Sequence, residues 1–295
     1  MFFPVSDITC SPLLPFFSAF VVSLCCSVGG VSGGFLLVPF QISILGITQP
    51  CVSATNHVFN LLACPSGIYR FWREGRFVWP LALLLIIGTM PGVFLGAWVK
   101  TRFLQDILHF SLFVGFVLLF IALRMLLAFL KEKRKAEIGK PTSAHVICQS
   151  SLSALDFTFQ GVQYHLPCLP VFVLSLIVGV IGGIYGIGGG AIMGPFLVAG
   201  FGLPVYITAG STLCATFVAS FTGVASYLWL AAISQSAVGP DWTLGLLMGL
   251  GGVLGTYCGA RLQRFVPHKL LKALLLGILL YAGCYYLVKG LLALV

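Results

Sequence analysis

The chain has 295 residues, of which 59% are hydrophobic and only 8% are charged. A soluble domain carries about 25% charged residues, so this composition, with a mean hydropathy of +1.07, excludes an ordinary soluble protein and predicts a polytopic membrane protein. The net charge of +9 does not indicate nucleic-acid binding, because the basic residues flank apolar segments in short loops, where they set membrane topology. The ten cysteines form no C-x-x-C pair and are interpreted as buried apolar residues, so we predict no cofactor or metal.

The first ten residues contain no Lys or Arg and therefore do not resemble a secretory signal peptide. Apolar runs long enough to cross a bilayer, at about 20 residues each, lie near 51–71, 78–99, 107–130, 207–232, 243–262 and 270–293. Two more apolar regions, 13–47 and 170–203, are interrupted by glycine clusters. The pieces 13–28 and 31–47 are short for a full crossing, so we expect each interrupted region to be a hairpin that enters and leaves on one face.

Two halves of the chain repeat each other. An offset of 156 residues superimposes the two glycine clusters and the prolines that follow them, Pro39 and Pro195. An offset of 163 aligns a later stripe, in which Gly88, Gly92 and Gly96 correspond to Gly251, Gly255 and Gly259; the change implies a seven-residue insertion near 233–239. Four-residue spacing places each stripe on one helix face, where close helix packing is favoured over a ligand role.

The chain therefore divides into a first repeat (1–130), a connector (131–168) and a second repeat (169–295). The connector opens with a basic run, and its residues 154–164 alternate around Gly161, which fits a short hairpin or a loosely ordered segment. One hairpin plus three spans is an odd number of crossings, so we predict inverted repeats. With both termini outside and the connector cytoplasmic, 13 of the 16 basic residues lie on the inner side. If each interrupted region instead crossed the membrane once, giving eight simple spans, only 10 of the 16 would lie inside, so the positive-inside rule favours the hairpins. The predicted fold is an all-α polytopic membrane protein with two inverted repeats, each a glycine-broken re-entrant hairpin plus three transmembrane helices.

The glycine clusters carry the functional prediction. A break inside a span leaves backbone N–H groups and the positive end of a half-helix at membrane depth, which attracts an anion. Matched polar stripes follow each break on the next helix. The predicted substrate-binding residues are Gly186, Gly188, Gly189, Gly190, Pro195, Gly30, Ser32, Gly33, Gly34, Pro39, Asn56, His57, Asn60, Ser211, Thr212 and Thr216. The alternatives are a purely structural kink for the breaks and interhelical hydrogen bonding for the stripes.

Ionisable residues are scarce within the apolar segments. His57 is the only one well inside a span, where it fits either a pH-linked role or a satisfied core position. All seven carboxylates fall in tails or loops of the predicted topology, which argues against a carboxylate proton relay and against a divalent-cation site. The Gly186-x-Gly188 pattern is not a dinucleotide fingerprint, because no acidic residue lies between Asp156 and Asp241.

The combined pattern resembles the TauE/SafE family of membrane permeases, also called sulfite exporters. The similarity rests on Gly183 to Gly190 followed by Pro195, the weaker copy from Gly30 to Pro39, Gly255 to Arg261, and the connector segment Phe159 to Tyr164. The first repeat departs from it, since Ser32 stands where the second repeat has Gly188. The resemblance implies a bacterial-type inner-membrane permease that moves small sulfur-containing anions such as sulfite or sulfoacetate, with the anion and the bilayer as its partners. A membrane thiol-redox conduit and a non-transporting scaffold are the alternative hypotheses.

Overall fold

The architecture is described from a computed structural model of the chain. The described residues are 1–28, 31–48, 50–132, 147–150, 154–159, 162–203, 205–234 and 239–263, with 276, 277, 280, 281, 283–288, 290 and 291 near the C-terminus. The helices are α1 Leu13–Val28, α2 Gly34–Ser43, α3 Val52–Arg73, α4 Trp79–Phe103, α5 Ile107–Glu132, α6 Cys168–Tyr185, α7 Gly190–Phe201, α8 Val205–Ser234 and α9 Trp242–Leu262. The strands are β1 Phe2–Phe3, β2 Ile8–Thr9, β3 Ile147–Ser150, β4 Ala154–Phe159 and β5 Val162–Pro167.

The chain is a helical, multi-pass membrane protein, as its composition predicts. Within the described residues, four helices are long and apolar enough to cross a bilayer: α4, α6, Ile207–Ile233 of α8, and α9. Helices α1 and α2 and the segment Leu108–Arg124 of α5 are apolar but shorter. Helix α3 has 22 residues, but its buried polar side chains make it less apolar than those four. Half of the predicted span 270–293 falls outside the described residues, and so do residues 235–238 of the predicted insertion near 233–239.

The chain reverses direction at both glycine breaks. Gly189 lies against Gly179, with 3.4 Å between a Cβ built on Gly189 and the Gly179 Cα. Further from the break, the Ser175 hydroxyl lies 4.0 Å from the Met193 sulfur, so α7 runs back along α6. The first break has the matching contact ten residues back, since a Cβ on Gly33 would lie 3.1 Å from the Ser23 Cα.

The glycine stripes are helix-packing surfaces between the two repeats, as the spacing predicts. In α4, a Cβ at Gly92 would lie 2.9 Å from the Gly179 Cα of α6. In α9, a Cβ at Gly255 would lie 2.9 Å from the Ser23 Cβ of α1. Gly255 is the 163-residue counterpart of Gly92, and Ser23 is the 156-residue counterpart of Gly179. The α4–α6 and α9–α1 contacts therefore join positions that the two sequence offsets relate.

The helix directions follow from residue pairs in contact. Helix α3 runs parallel to α9, because Gly245 meets Val58 and Thr256 meets Gly67. It runs antiparallel to α8, because Gly223 meets His57 and Gly210 meets Phe71 near the opposite end. Helix α4 runs parallel to α8. The Val78 carbonyl at the start of α4 accepts from the Ser211 hydroxyl, and further along both helices the Phe94 ring contacts the Trp229 ring. Helices α3 and α8, which occupy equivalent positions in the two repeats, thus run in opposite directions.

Two small sheets complete the fold. The connector forms an antiparallel sheet in the order β3-β4-β5, in which Leu155 pairs with Leu166 and Phe157 with Tyr164. The predicted hairpin in this segment is confirmed, with β3 as an additional strand. Strands β1 and β2 form a second hairpin at the N-terminus, in which Phe3 is buried and pairs with Ile8.

Candidate functional site

The second break is built from glycines in the left-handed region of backbone space. Gly186, Gly188 and Gly189 have φ of +88°, +75° and +73°, values that L side chains adopt only with strain. The Gly182 carbonyl accepts hydrogen bonds from the N–H groups of Gly186 (2.8 Å) and Ile187 (2.9 Å), which ends α6. Helix α7 begins at Gly190, so the glycine run is what lets two half-helices meet within a few residues.

The first break uses different chemistry at the same position. Gly33 has φ −65° and ψ −13°, which is right-handed helical geometry. The Ser32 hydroxyl accepts a 3.3 Å hydrogen bond from the Gly34 N–H and donates to the side-chain oxygen of Asn60. At this position the first break therefore has a hydrogen-bonded hydroxyl, Ser32, where the second break has a left-handed glycine, Gly188. The predicted residue Gly30 lies outside the described residues.

Helix α3 connects the two breaks through its asparagines. The Asn56 amide nitrogen donates to the Gly34 carbonyl of the first break and to the Gly186 carbonyl of the second, each at 2.9 Å. The Asn60 amide lies 3.4 Å from the Gly186 carbonyl. Both asparagines are fully buried, and the Asn56 side-chain oxygen has no hydrogen-bond partner among the described residues. The structure thus brings Ser32, Gly34, Asn56, Asn60 and Gly186 into one polar cluster.

His57 faces a different neighbour. Its Nδ1 lies 3.3 Å from the Ser220 hydroxyl of α8, and its ring lies against Gly223 and 6.0 Å from the Tyr227 ring. The ring is fully buried. It therefore sits between α3 and α8, next to the polar cluster, with the Ser220 hydroxyl as its side-chain partner.

The α8 stripe packs against the second break. The Thr212 hydroxyl donates to the Thr208 carbonyl and the Thr216 hydroxyl to the Thr212 carbonyl, each at 2.9 Å and each within the helix. A Cβ on Gly188 would lie 2.8 Å from the Thr216 carbonyl. These two hydroxyls thus do not make the interhelical bonds considered for the stripe.

Ser211 and Pro39 make their hydrogen bonds outside the polar cluster. The Ser211 hydroxyl donates to the Val78 carbonyl at the start of α4, 3.0 Å away, which makes it an interhelical contact away from the breaks. Pro39 lies inside α2, where its carbonyl accepts from the Tyr286 hydroxyl at 2.9 Å. Pro195 lies inside α7.

Three side chains near the breaks were missed in the sequence. The Tyr185 hydroxyl donates to the Phe35 carbonyl (2.8 Å), Tyr227 to the Gly183 carbonyl (2.8 Å) and Ser53 to the Ile184 carbonyl (2.7 Å). The Gly183 and Ile184 carbonyls lie in the last turn of α6, where helix carbonyls lack partners within the helix. The Phe35 carbonyl lacks one because Pro39, four residues later, has no N–H. Ser53 precedes His57 by four residues, so the spacing that identified the α3 stripe would also have found it.

The electrostatics of the polar cluster depend on neutral groups and helix ends. Asn56 contacts Gly34 in the first turn of α2 and Gly186 at the C-cap of α6, so one polar cluster of neutral side chains touches both breaks. Among the described residues, no group of three His, Cys, Asp or Glu side chains is placed to hold a metal. Asp241, which the sequence placed in a loop, is buried: it is the N-cap of α9 and accepts from the Leu244 N–H (3.1 Å) and the Ser6 hydroxyl (2.8 Å).

A surface cavity of about 680 Å³ lies elsewhere, between the C-terminal ends of α4 and α8 and the start of α5. Its lining includes Trp98, Arg102, Asp106, His109 and Trp229. The Leu108 backbone N–H lowers the pKa of the Asp106 carboxyl below its ordinary value. None of the predicted site residues lines this cavity, so it is separate from the polar cluster.

Comparison with known proteins identifies the family. The family model described as "Sulfite exporter TauE/SafE" matches residues 15–286, which include both breaks and both glycine stripes. The chain belongs to the TauE/SafE family. No solved structure matches this TauE/SafE chain.

Three curated relatives of this TauE/SafE protein carry transporter names. "Probable membrane transporter protein YunE" of Bacillus subtilis (strain 168) is 24% identical over 273 residues, covering 88% of this chain and 92% of its own. "Probable membrane transporter protein ORF9" of Sinorhizobium sp is 27% identical over 262 residues (88% and 86%). "Probable membrane transporter protein" of Xylella fastidiosa (strain 9a5c) is 22% identical over 268 residues (88% of each). Family and relatives together support membrane transport as the function class.

Proposed function

We propose that this TauE/SafE protein is a permease for small sulfur-containing anions, such as sulfite or sulfoacetate, and not an enzyme. The observation that carries the proposal is the double hydrogen bond of Asn56, which joins the carbonyls of Gly34 and Gly186 from two separate breaks. Breaks that meet at one buried polar cluster are the arrangement that transporters use for substrate sites near the bilayer midplane. The family name supports sulfite as the first substrate to test.

The two repeats are inverted relative to each other in this proposal. Support comes from the opposite directions of α3 and α8, which are equivalent by the 156-residue offset. Arg70, Arg76 and Arg261 lie at one end of the bundle, since α3 and α9 are parallel and both finish there. Lys100 and Arg102 lie at the other end, where the antiparallel α4 finishes. The positive-inside rule then makes the first end cytoplasmic and places the N-terminus outside, in a bacterial inner membrane.

The transport step follows from the pseudo-two-fold packing. Because the α4–α6 and α9–α1 contacts are equivalent, exchanging the conformations of the two repeats would open the polar cluster to the opposite side. The helix ends at Gly34 and Gly190 attract the anion, and the Asn56 and Asn60 amides supply neutral donors. In the present conformation those amides hold backbone carbonyls, so substrate binding requires them to turn toward the anion. Neutral donors also let the anion leave, since no fixed charge in the cluster holds it.

The test is counterflow of radiolabelled sulfite in proteoliposomes, with unlabelled sulfite, thiosulfate, sulfate, sulfoacetate and acetate as competitors. Wild-type protein should exchange sulfite and prefer sulfur oxyanions over acetate. Gly189→Leu should abolish exchange, because Gly189 has φ +73° and a Cβ there would lie 3.2 Å from the Thr89 methyl. Gly202→Leu is the matched control, with φ +70° and open space around it. Absence of wild-type exchange for every anion in the panel rejects the proposal.

Membrane orientation is tested separately, by the side from which single introduced cysteines react in a background whose native cysteines are replaced by serine. Labels at residue 2 and at positions 131–146 of the connector should react from opposite sides of the membrane. Reaction from the same side contradicts the inverted arrangement. The serine background also tests the thiol-redox alternative, which predicts that replacing the cysteines stops activity.

A further inference from the structure

Lys100 is buried inside the protein near the end of α4. Only 1% of its surface is exposed, and its Nζ lies 3.0 Å from the centroid of the Phe110 ring. The apolar run predicted from the sequence ends at residue 99, whereas α4 continues to Phe103 and α5 packs over the Lys100 side chain.

No carboxylate neutralises Lys100 in the part of the chain that the structure describes. The four ion pairs there involve Arg70, Arg76, His109 and His165. Asp241, a buried acid, is occupied by the Ser6 backbone and hydroxyl donors and by the first turn of α9. The ammonium group therefore has an aromatic ring as its identified partner and no anion.

The opposite end of the bundle provides an internal comparison. Gln263 is the 163-residue counterpart of Lys100, and it is also buried. A buried arginine, Arg76, donates to the Gln263 side-chain oxygen at 3.0 Å and is paired with Glu74. Among the described residues, a buried cation thus lies at each end, Lys100 at one and Arg76 beside the counterpart of Lys100 at the other. The inner cation is neutralised by a carboxylate within the protein, whereas no such carboxylate pairs with Lys100.

An unpaired buried ammonium is energetically costly. Cation–π contact with a ring offsets only part of the cost of removing an ammonium from water. Ionisable groups inside membrane segments are retained at that cost mainly where they serve substrates or ions. An oxyanion that reaches Lys100 from outside the protein would stabilise the charged form of its amine.

Lys100 also lies on the outer approach to the polar cluster. Gly96, four residues before Lys100 on the same face of α4, packs against the end of α6, since a Cβ there would lie 3.0 Å from the Gly183 Cα. Gly183 precedes the break residue Gly186 by three residues, so Lys100 lies about one helical turn beyond the contact between α4 and the second break.

We propose that Lys100 is an anion-binding residue on the outer side of the break, where its ammonium group contacts a small oxyanion such as sulfite before or after it occupies the Asn56 cluster. This inference rests on the proposed transport function and adds a second binding position to it. The sulfite anion supplies the missing counter-charge, and the neutral donors of the cluster receive it next. Charge attraction at the outer position and neutral hydrogen bonding at the centre together define a path with two binding positions.

The experiment compares Lys100→Met with Arg102→Met, which removes an exposed cation two residues away on the same helix. Each variant is measured by sulfite counterflow in proteoliposomes and by thermal unfolding in detergent, with and without sulfite. Lys100→Met should raise the KM for sulfite by about 10- to 100-fold, the value of one charge-assisted hydrogen bond. Its Tm without sulfite should be unchanged or higher, because an unpaired buried charge is replaced by an apolar chain of similar length. Arg102→Met should leave both quantities unchanged.

The outcomes separate this inference from the proposed function. Wild-type counterflow together with an unchanged KM in Lys100→Met rejects the role of Lys100 and leaves the transport proposal standing. A lower Tm with an unchanged KM shows that Lys100 has a structural role instead. If wild-type protein shows no counterflow but sulfite raises its Tm only when Lys100 is present, the transport proposal fails and the anion site is supported. Neither counterflow nor a sulfite-dependent Tm rejects both.

Discussion

The geometry of the second break can be tested by adding one methyl group at Gly186. This glycine has φ +88°, and a Cβ there would lie 2.7 Å from the Ser53 Cα and 2.9 Å from its carbonyl carbon. The Gly186→Ala substitution therefore has two costs. Left-handed backbone strain costs about 1–2 kcal/mol for an L residue, and a methyl group forced into a packed core costs about 1–3 kcal/mol. The expected loss of unfolding free energy is their sum, about 2–5 kcal/mol.

Gly202→Ala isolates the second cost, because Gly202 has φ +70° and no atom lies within 4 Å of the position of its Cβ. It should lose only the strain of about 1–2 kcal/mol. The measurement is reversible denaturation in detergent, followed by the helical circular dichroism signal, for wild type and both variants. If the two variants lose equal stability, α3 does not pack against the break at Ser53, and the arrangement of the polar cluster inferred from that contact is wrong.

Three other predictions concern the polar cluster, the helix packing and Asp241, the N-cap of α9. Asn60→Leu should weaken sulfite binding more than Leu61→Ala and lower unfolding free energy by about 1–3 kcal/mol, because it leaves the Ser32 hydroxyl without its acceptor; equal sulfite affinities would reduce Asn60 to packing. Gly96→Ala should lower the unfolding free energy by about 1–3 kcal/mol, because its Cβ would lie 3.0 Å from the Gly183 Cα. Gly194→Ala is the control: the nearest atom to its Cβ would lie 3.9 Å away, so it should be neutral or slightly stabilising in the same denaturation assay. Asp241→Ala should lower unfolding free energy by about 1–2 kcal/mol and reduce Tm more than Asp106→Ala, whose carboxylate is exposed; equal Tm losses would contradict the buried cap.

The helical elements were largely predictable because the bilayer restricts the possibilities. The predicted pieces 13–28 and 31–47 correspond to α1 (Leu13–Val28) and α2 (Gly34–Ser43). The glycine cluster separates them. Non-helical backbone at membrane depth is tolerated only where protein buries it or where it lines a cavity, so a break at this place could be expected to lie inside the protein. The β1–β2 hairpin was not predicted, because strands of two residues have too few positions to show a period.

The candidate site was predictable in its components but not in its contacts. Four-residue spacing identified Asn56 and Asn60 as one face of a helix. Their hydrogen-bond partners, the carbonyls of Gly34 and Gly186, belong to segments 22 and 130 residues away in the chain. No local pattern determines such pairings. The burial of Lys100 was not predictable for a related reason, since it depends on how α5 packs against α4 and not on its neighbours in sequence.

The two breaks are not energetically equivalent, and this bears on the proposed alternating access. Gly188 uses φ +75° in the second repeat, and its counterpart in the first is Ser32, which is bonded to Asn60. An exact exchange of conformations would place Ser32 in left-handed geometry, at a cost of about 1–2 kcal/mol. It would also break the bond to Asn60. The conformation described here is therefore favoured in the absence of substrate, and binding of the anion must supply the energy that the exchange requires.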